Sequence, residues 1–166
     1  MRRALVAVLG SSVLLFLLAA GSAGARPAES MVTIELGWNE RALAGGRTVM
    51  TFRVRTLSIT DRGWTIAASF RNTSRSRVRI REEFALLVAK RRAQIDGAGA
   101  LAAKSFRPAL PAALAPGQGW SGTFSGGGAS ILHGVYVRAH FSYFRGPVIP
   151  GQAGFGWITD HVVRLR

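Results

Sequence analysis

The residues in this chain whose spacing suggests chemistry are arginines. Arg75, Arg77, Arg79 and Arg81 occupy alternate positions, and Arg53 and Arg55 form a second such pair. In an extended strand, alternate side chains stand on one face about 7 Å apart. A planar guanidinium takes phosphate or carboxylate through two parallel N–H bonds. A row of guanidiniums therefore reads as an anion-binding face. Arg71 lies just before the row, and Lys90-Arg91-Arg92 follows it. Glu82 and Glu83 offset part of the charge. The competing reading is a solvated strand whose charges only discourage edge-to-edge pairing.

Other chemistries are poorly served. The chain has no cysteine, which excludes disulfides, thiolate zinc sites and cysteine nucleophiles. His133, His140 and His161 match no zinc spacing. Asp160 and His161 are adjacent and would point to opposite faces of a strand. No metal or other cofactor is expected. No serine sits in G-x-S-x-G. Glu82 and Glu83, the one adjacent pair among eight acidic residues, would diverge rather than flank a glycosidic bond. Gly126-Gly127-Gly128 precedes neither a helix start nor a lysine, so it is no phosphate loop. A non-catalytic protein is expected. Trp38, Trp64, Trp120 and Trp157 read mainly as core anchors. Trp157, after a Gly/Pro loop, and Trp120 are the candidates for stacking on a sugar.

The elements that must hold these residues begin with an address. Arg2 and Arg3 precede an apolar run, Ala4 to Ala20, and the A-x-A site Ala23-Gly24-Ala25 follows. That order reads as a helical secretory signal peptide over residues 1–25. Residues 26–30 then form a linker, and residues 31–166 one domain. A retained signal would serve as an N-terminal membrane anchor and would still export the domain. The expected location is secreted or extracytoplasmic, in the cell envelope.

Formal net charge is +14, and all but Lys90 and Lys104 of the 22 basic residues are arginine. Codon bias explains arginine in place of lysine but not the excess over acids. Export argues against nucleic acid as a partner. Anionic envelope polymers or lipid headgroups remain.

Along the domain the dominant signal is alternation with period two. Val32 to Trp38 alternates apolar and polar, and Gly45-Gly46 marks a turn. In Thr48–Ile59 the apolar parity switches from Met50, Phe52 and Val54 to Leu57 and Ile59, which requires a bulge near Thr56. Trp64, Ile66, Ala68 and Phe70 face inward, with Thr65, Ser69 and Arg71 outward. A strand with Val78 and Ile80 inward would carry the arginine row outward. Phe84 to Ala89 continues the pattern, and a Gly/Ala-rich loop leads to Ala103. Phe106 to Pro111 reads as an edge, and Trp120 and Phe124 mark another strand. A long strand carries Val135, Val137, Ala139, Phe141 and Tyr143 inward. Phe155 to Leu165 is the last strand.

About seven to nine short strands at roughly ten-residue spacing, with no amphipathic helix, define an all-β antiparallel sandwich. Trp64 to Phe70 followed by Asn72-Thr73-Ser74, and Leu114-x-Pro116-Gly117 before an aromatic strand, resemble small secreted bacterial immunoglobulin-like domains. The resemblance spans about residues 60–144 and implies an immunoglobulin-like sandwich in an exported envelope protein. It departs from antibody-type domains in lacking the inter-sheet cysteine pair. Tyr136 resembles a tyrosine corner, with Arg138 where the second cysteine would stand.

The expected function is a non-catalytic envelope binding or structural module with a basic face. The alternatives are a module that pairs with another exported protein, and a carbohydrate-binding domain.

Overall fold

The computed structural model describes residues 31–97, 99–128 and 135–165. The signal peptide, the linker and His133 lie outside the described residues. The first hairpin shows how local chemistry builds the fold. Strands β1 (Val32–Ala44) and β2 (Arg47–Ile59) are joined by Gly45 and Gly46 alone. Both have positive φ, 54° and 74°, as a two-residue hairpin turn matching strand twist demands.

Strand β3 (Gly63–Asn72) pairs with β2 and with β9 (Gly119–Gly127), and β7 (Ser105–Arg107) pairs with the far side of β9. These form one antiparallel sheet in the order β1-β2-β3-β9-β7. The second sheet is centred on β10 (Tyr136–Arg145). One side of β10 pairs with β4 (Val78–Ile80) and β5 (Ala85–Ala89), the other with β11 (Gly154–Ile158) and β12 (Val163–Arg164). β6 (Gly99–Ala102) extends β5, and β8 (Ala113–Leu114) extends β4. The fold is all-β and sandwich-like. The twelve strands among the described residues exceed the expected number because several are only two to four residues long.

Between the sheets lies an aromatic core. Phe52, Phe70 and Phe124 of the first sheet meet Phe84, Phe141 and Phe144 from the second, with centroid separations such as 5.3 Å for Phe52–Phe141 and 5.2 Å for Phe84–Phe124. All six are at most 2% exposed. Edge-to-face and tilted pairs at this range add about 1 kcal/mol each beyond burial.

Four expectations need correction. First, β1 runs on through Ala44. Glu40 occupies an inward position and hides the apolar alternation there. Second, the inward parity of β10 changes. Ser142 is an extra residue with φ 28° that the partner register skips. Its hydroxyl donates to the Arg81 carbonyl. Phe144 is therefore buried, whereas Tyr143 turns outward and lies against Gly154 of β11. Third, the last strand breaks into β11 and β12 around Thr159 to Val162. Fourth, the segment after β5 contains a 3-10 helix, Arg92–Gly97, that packs on β5 and β10, followed by β6 in place of a plain loop. The bulge in β2 falls at Arg55, one residue before Thr56, and Gly37 (φ 60°) takes the matching irregularity in β1.

Candidate functional site

The outward face of the first sheet is built from residues in direct cross-strand register. One row reads Arg41, Thr51, Arg71, Gly119, and the next Asn39, Arg53, Ser69, Ser121. A third holds Glu35, Thr56, Ala67, Thr123 and Arg107, and a fourth holds only serine and threonine, from Thr33 on β1 to Ser105 on β7. Hydroxyls link neighbours in that fourth row, Thr33 to Ser58 at 3.0 Å and Ser105 to Ser125 at 2.7 Å. On β2 and β3 the inward neighbours include the core residues Met50, Phe52, Val54, Ile66, Ala68 and Phe70, so the face owes its polarity to the strand period of two.

The first two rows line a depression of about 910 Å³. Arg41, Arg53 and Arg71 all line it. Arg41 and Arg71 stand on either side of Thr51, two strands apart and so roughly 10 Å between Cα atoms, with Arg53 about 7 Å further along the middle strand. Among the described residues Arg41 and Arg53 have neither an ion pair nor a hydrogen-bond partner. Among the described residues Glu35, in the third row, is the one outward-facing acid of these rows, while Glu40 lines the depression from its buried side.

Arg71 is positioned by a local knot. Its Nε donates to the Gly117 carbonyl at 2.8 Å. Gly117, at φ 78°, also donates its N–H to the Asn72 carbonyl at 2.8 Å. The buried Asn72 amide in turn donates to the Ser76 and Leu114 carbonyls, and its Oδ1 accepts from the Ser74 N–H and hydroxyl. The Asn72-Thr73-Ser74 turn and the Leu114-to-Gly117 turn are thus one unit in space, which fixes the root of Arg71.

Of the sequence-derived row, all four arginines are exposed but only Arg79 lies in a strand. Arg75 sits in a bend and Arg77 just before β4, and Arg81 follows β4, paired with Glu83 at 3.2 Å. Arg79 stands opposite Arg145 of β10. Of the second pair, Arg53 joins the depression and Arg55 sits on the bulge. Arg41, now central, carried no signal because its segment read as a loop.

Both tryptophans offered for sugar stacking stack on core phenylalanines, Trp157 while partly exposed. Trp157 stacks on Phe52 at 5.0 Å and 0°, and Trp120 is 6% exposed, stacked on Phe70, with Nε1 donating to the Pro108 carbonyl. Tyr136 forms no hydroxyl hydrogen bond among the described residues, and the Arg164 guanidinium lies over its ring at 5.9 Å.

A second polar cluster lies under the β1 edge. The Glu40 carboxylate accepts from Trp157 Nε1 (3.2 Å), from the N–H of Asp160 (3.0 Å) and from His161 Nδ1 (2.8 Å). His161 stacks on Trp38 at 5.4 Å. A carboxylate orienting an imidazole is half of a nucleophile-activating arrangement. Among the described residues the Thr159 hydroxyl donates to the His161 carbonyl at 3.3 Å and no hydroxyl bonds its imidazole; the cluster joins β1 to the β11–β12 connection. His140 is half-buried on the outer side of β10. Burial holds its pKa below the ordinary 6.5, with Glu83 acting in the opposite direction. Among the described residues no three His, Asp or Glu side chains converge as a metal site.

The chain matches no family model, no curated protein and no solved structure. Its class is therefore given by its own architecture, an all-β, cysteine-free, sandwich-like fold with one open cationic sheet face.

Proposed function

We propose that this protein is an exported, immunoglobulin-like envelope module that binds an anionic polymer without catalysing a reaction on it. The observation that carries the reading is the depression on the first sheet, where Arg41, Arg53 and Arg71 share one face with hydroxyl side chains. Guanidiniums without acid partners attract extended anions through long-range field and through bidentate bonds. The signal-like residues 1–25 would deliver the domain to the compartment where such polymers lie.

A polymer is favoured over a lipid surface by what the face lacks. Membrane-surface binding rests on apolar or aromatic side chains entering the headgroup boundary. The four rows offer serine, threonine, asparagine and arginine, one acid, Glu35, and one apolar side chain, Ala67; beyond them Leu43, at the end of β1, is the one large apolar side chain exposed beside the depression among the described residues. The test is co-sedimentation of the full chain with dextran sulfate beads and, separately, with phosphatidylglycerol vesicles across a salt series. Bead binding that weakens with salt, together with weaker vesicle binding, is expected. No bead binding at low salt, or vesicle binding of equal strength, would overturn the reading.

A further inference from the structure

The same depression has a centre. Thr51 lies between Arg41 and Arg71 in one cross-strand row, and Arg53 follows it on the same face of β2. Arg41 is long enough to reach the space above the Thr51 hydroxyl, and Arg71 faces that space from a guanidinium anchored on its far, β9, side. Arg71 is already tethered through Nε to the Gly117 carbonyl, which leaves both of its Nη groups to donate. Arg41 and Arg53 have all their N–H donors unspent on other side chains among the described residues.

We infer that this seat above Thr51 takes a phosphoryl group, so that the polymer bound is a chain of phosphates or phosphodiesters rather than a polyuronate. The inference rests on the polymer-binding reading above and names its ligand class. The reasoning is geometric. A carboxylate has two oxygens whose four or so acceptor directions all lie near one plane. Three arginines and a hydroxyl set on two sides, along the strand and beneath one point lie outside any single plane. A phosphoryl group is tetrahedral. Its oxygens accept from Arg41 on one side, Arg71 on the other, Arg53 along the strand and a neutral hydroxyl beneath. Arginine is also weakly hydrated compared with lysine, which lowers the cost of bringing three cations to one anion. Successive phosphates of an extended chain would then pass along the outward row toward Ser69 and Ser121, where hydroxyls continue the donor surface.

The test is calorimetric titration of the full chain with long-chain inorganic polyphosphate and with polygalacturonate, matched in charge concentration and salt. Three proteins are compared: wild type, Arg41→Gln/Arg71→Gln, and Thr51→Val, which keeps the β-branched shape suited to a strand. Polyphosphate is expected to bind at least tenfold more tightly, a difference of about 1.4 kcal/mol. Thr51→Val should weaken polyphosphate a few-fold and leave polygalacturonate unchanged. Equal affinity for the two polymers, lost together in the double variant, would overturn the phosphoryl seat and leave the polymer-binding reading standing. A polyphosphate preference that survives the double variant would overturn the seat's location. Binding of neither polymer at low salt would overturn both readings.

Discussion

The two sheets present outer faces of opposite character. On the second sheet, the face of β5 and β10 is covered. The 3-10 helix Arg92–Gly97 lies over it, and Leu87 and Ile95 are 8% and 5% exposed. Its arginine, Arg138, is largely shielded and paired with Asp96 at 2.6 Å. On the first sheet no described element covers the outer rows, and among the described residues Arg41 and Arg53 have no acid paired with them. Both faces arise from the same alternation of side chains. What separates a structural face from an available one is whether another segment closes over it and whether its charges are matched. Charge on the covered face works for stability, and charge on the open face is free for a ligand.

The comparison breaks most visibly if the covered face proves dispensable. Leu87→Ala should cost about 3 kcal/mol of unfolding free energy, since it empties a buried position, whereas Thr65→Ala on the open face should cost no more than about 0.5 kcal/mol. Chemical denaturation of the two variants checks this. Next in size, Arg41→Gln/Arg53→Gln/Arg71→Gln should weaken polyphosphate binding roughly 100-fold, given the strength of charge-assisted bonds, and should leave stability within about 0.5 kcal/mol of wild type. Asp96→Ala should destabilise by about 1 kcal/mol, near the upper end for an ion pair whose acid is exposed. Its cost should exceed that of Arg53→Gln by thermal unfolding.

The smallest effect concerns His140, on the second sheet's outer side. Its pKa is lowered in the folded state, so the unfolded chain takes up the proton first as pH falls. Stability should therefore decline as pH drops through 6.5 and level off below the folded pKa. His140→Gln should flatten that slope in unfolding measurements. A slope of opposite sign would mean that Glu83, rather than burial, governs the imidazole.

Much of this architecture was legible from the residues. The parity of Trp64 to Phe70, the Gly45-Gly46 hairpin and the bulge demanded by the Val54-to-Leu57 switch are local consequences of strand geometry, and they held. The candidate site was legible only in part. Arg53 and Arg71 were read as outward, but Arg41 was missed because Glu40 sits inward beside it. An acidic side chain under an edge strand is satisfied by partners more than a hundred residues away, at Trp157, Asp160 and His161. No local pattern announces such partners. The strand expected to carry the arginine row is shorter for a related reason. Alternation of Arg75 to Arg81 implies one strand, yet pairing partners exist only for Val78 to Ile80. The break leaves Arg81 to Glu83. Ser142 likewise gave no sign that it would shift the parity of β10.

The most direct test of which face binds compares three full-length proteins on the same polyphosphate resin over a salt gradient. They are wild type, Arg41→Gln/Arg53→Gln/Arg71→Gln, and Arg75→Gln/Arg77→Gln/Arg79→Gln/Arg81→Gln. The quadruple variant removes more charge, so simple net-charge attraction predicts that it elutes first. The open-face account predicts that the triple variant elutes first and that the quadruple variant stays close to wild type. Early elution of the quadruple variant, with the triple variant retained, would contradict the account and move binding to the segment around β4.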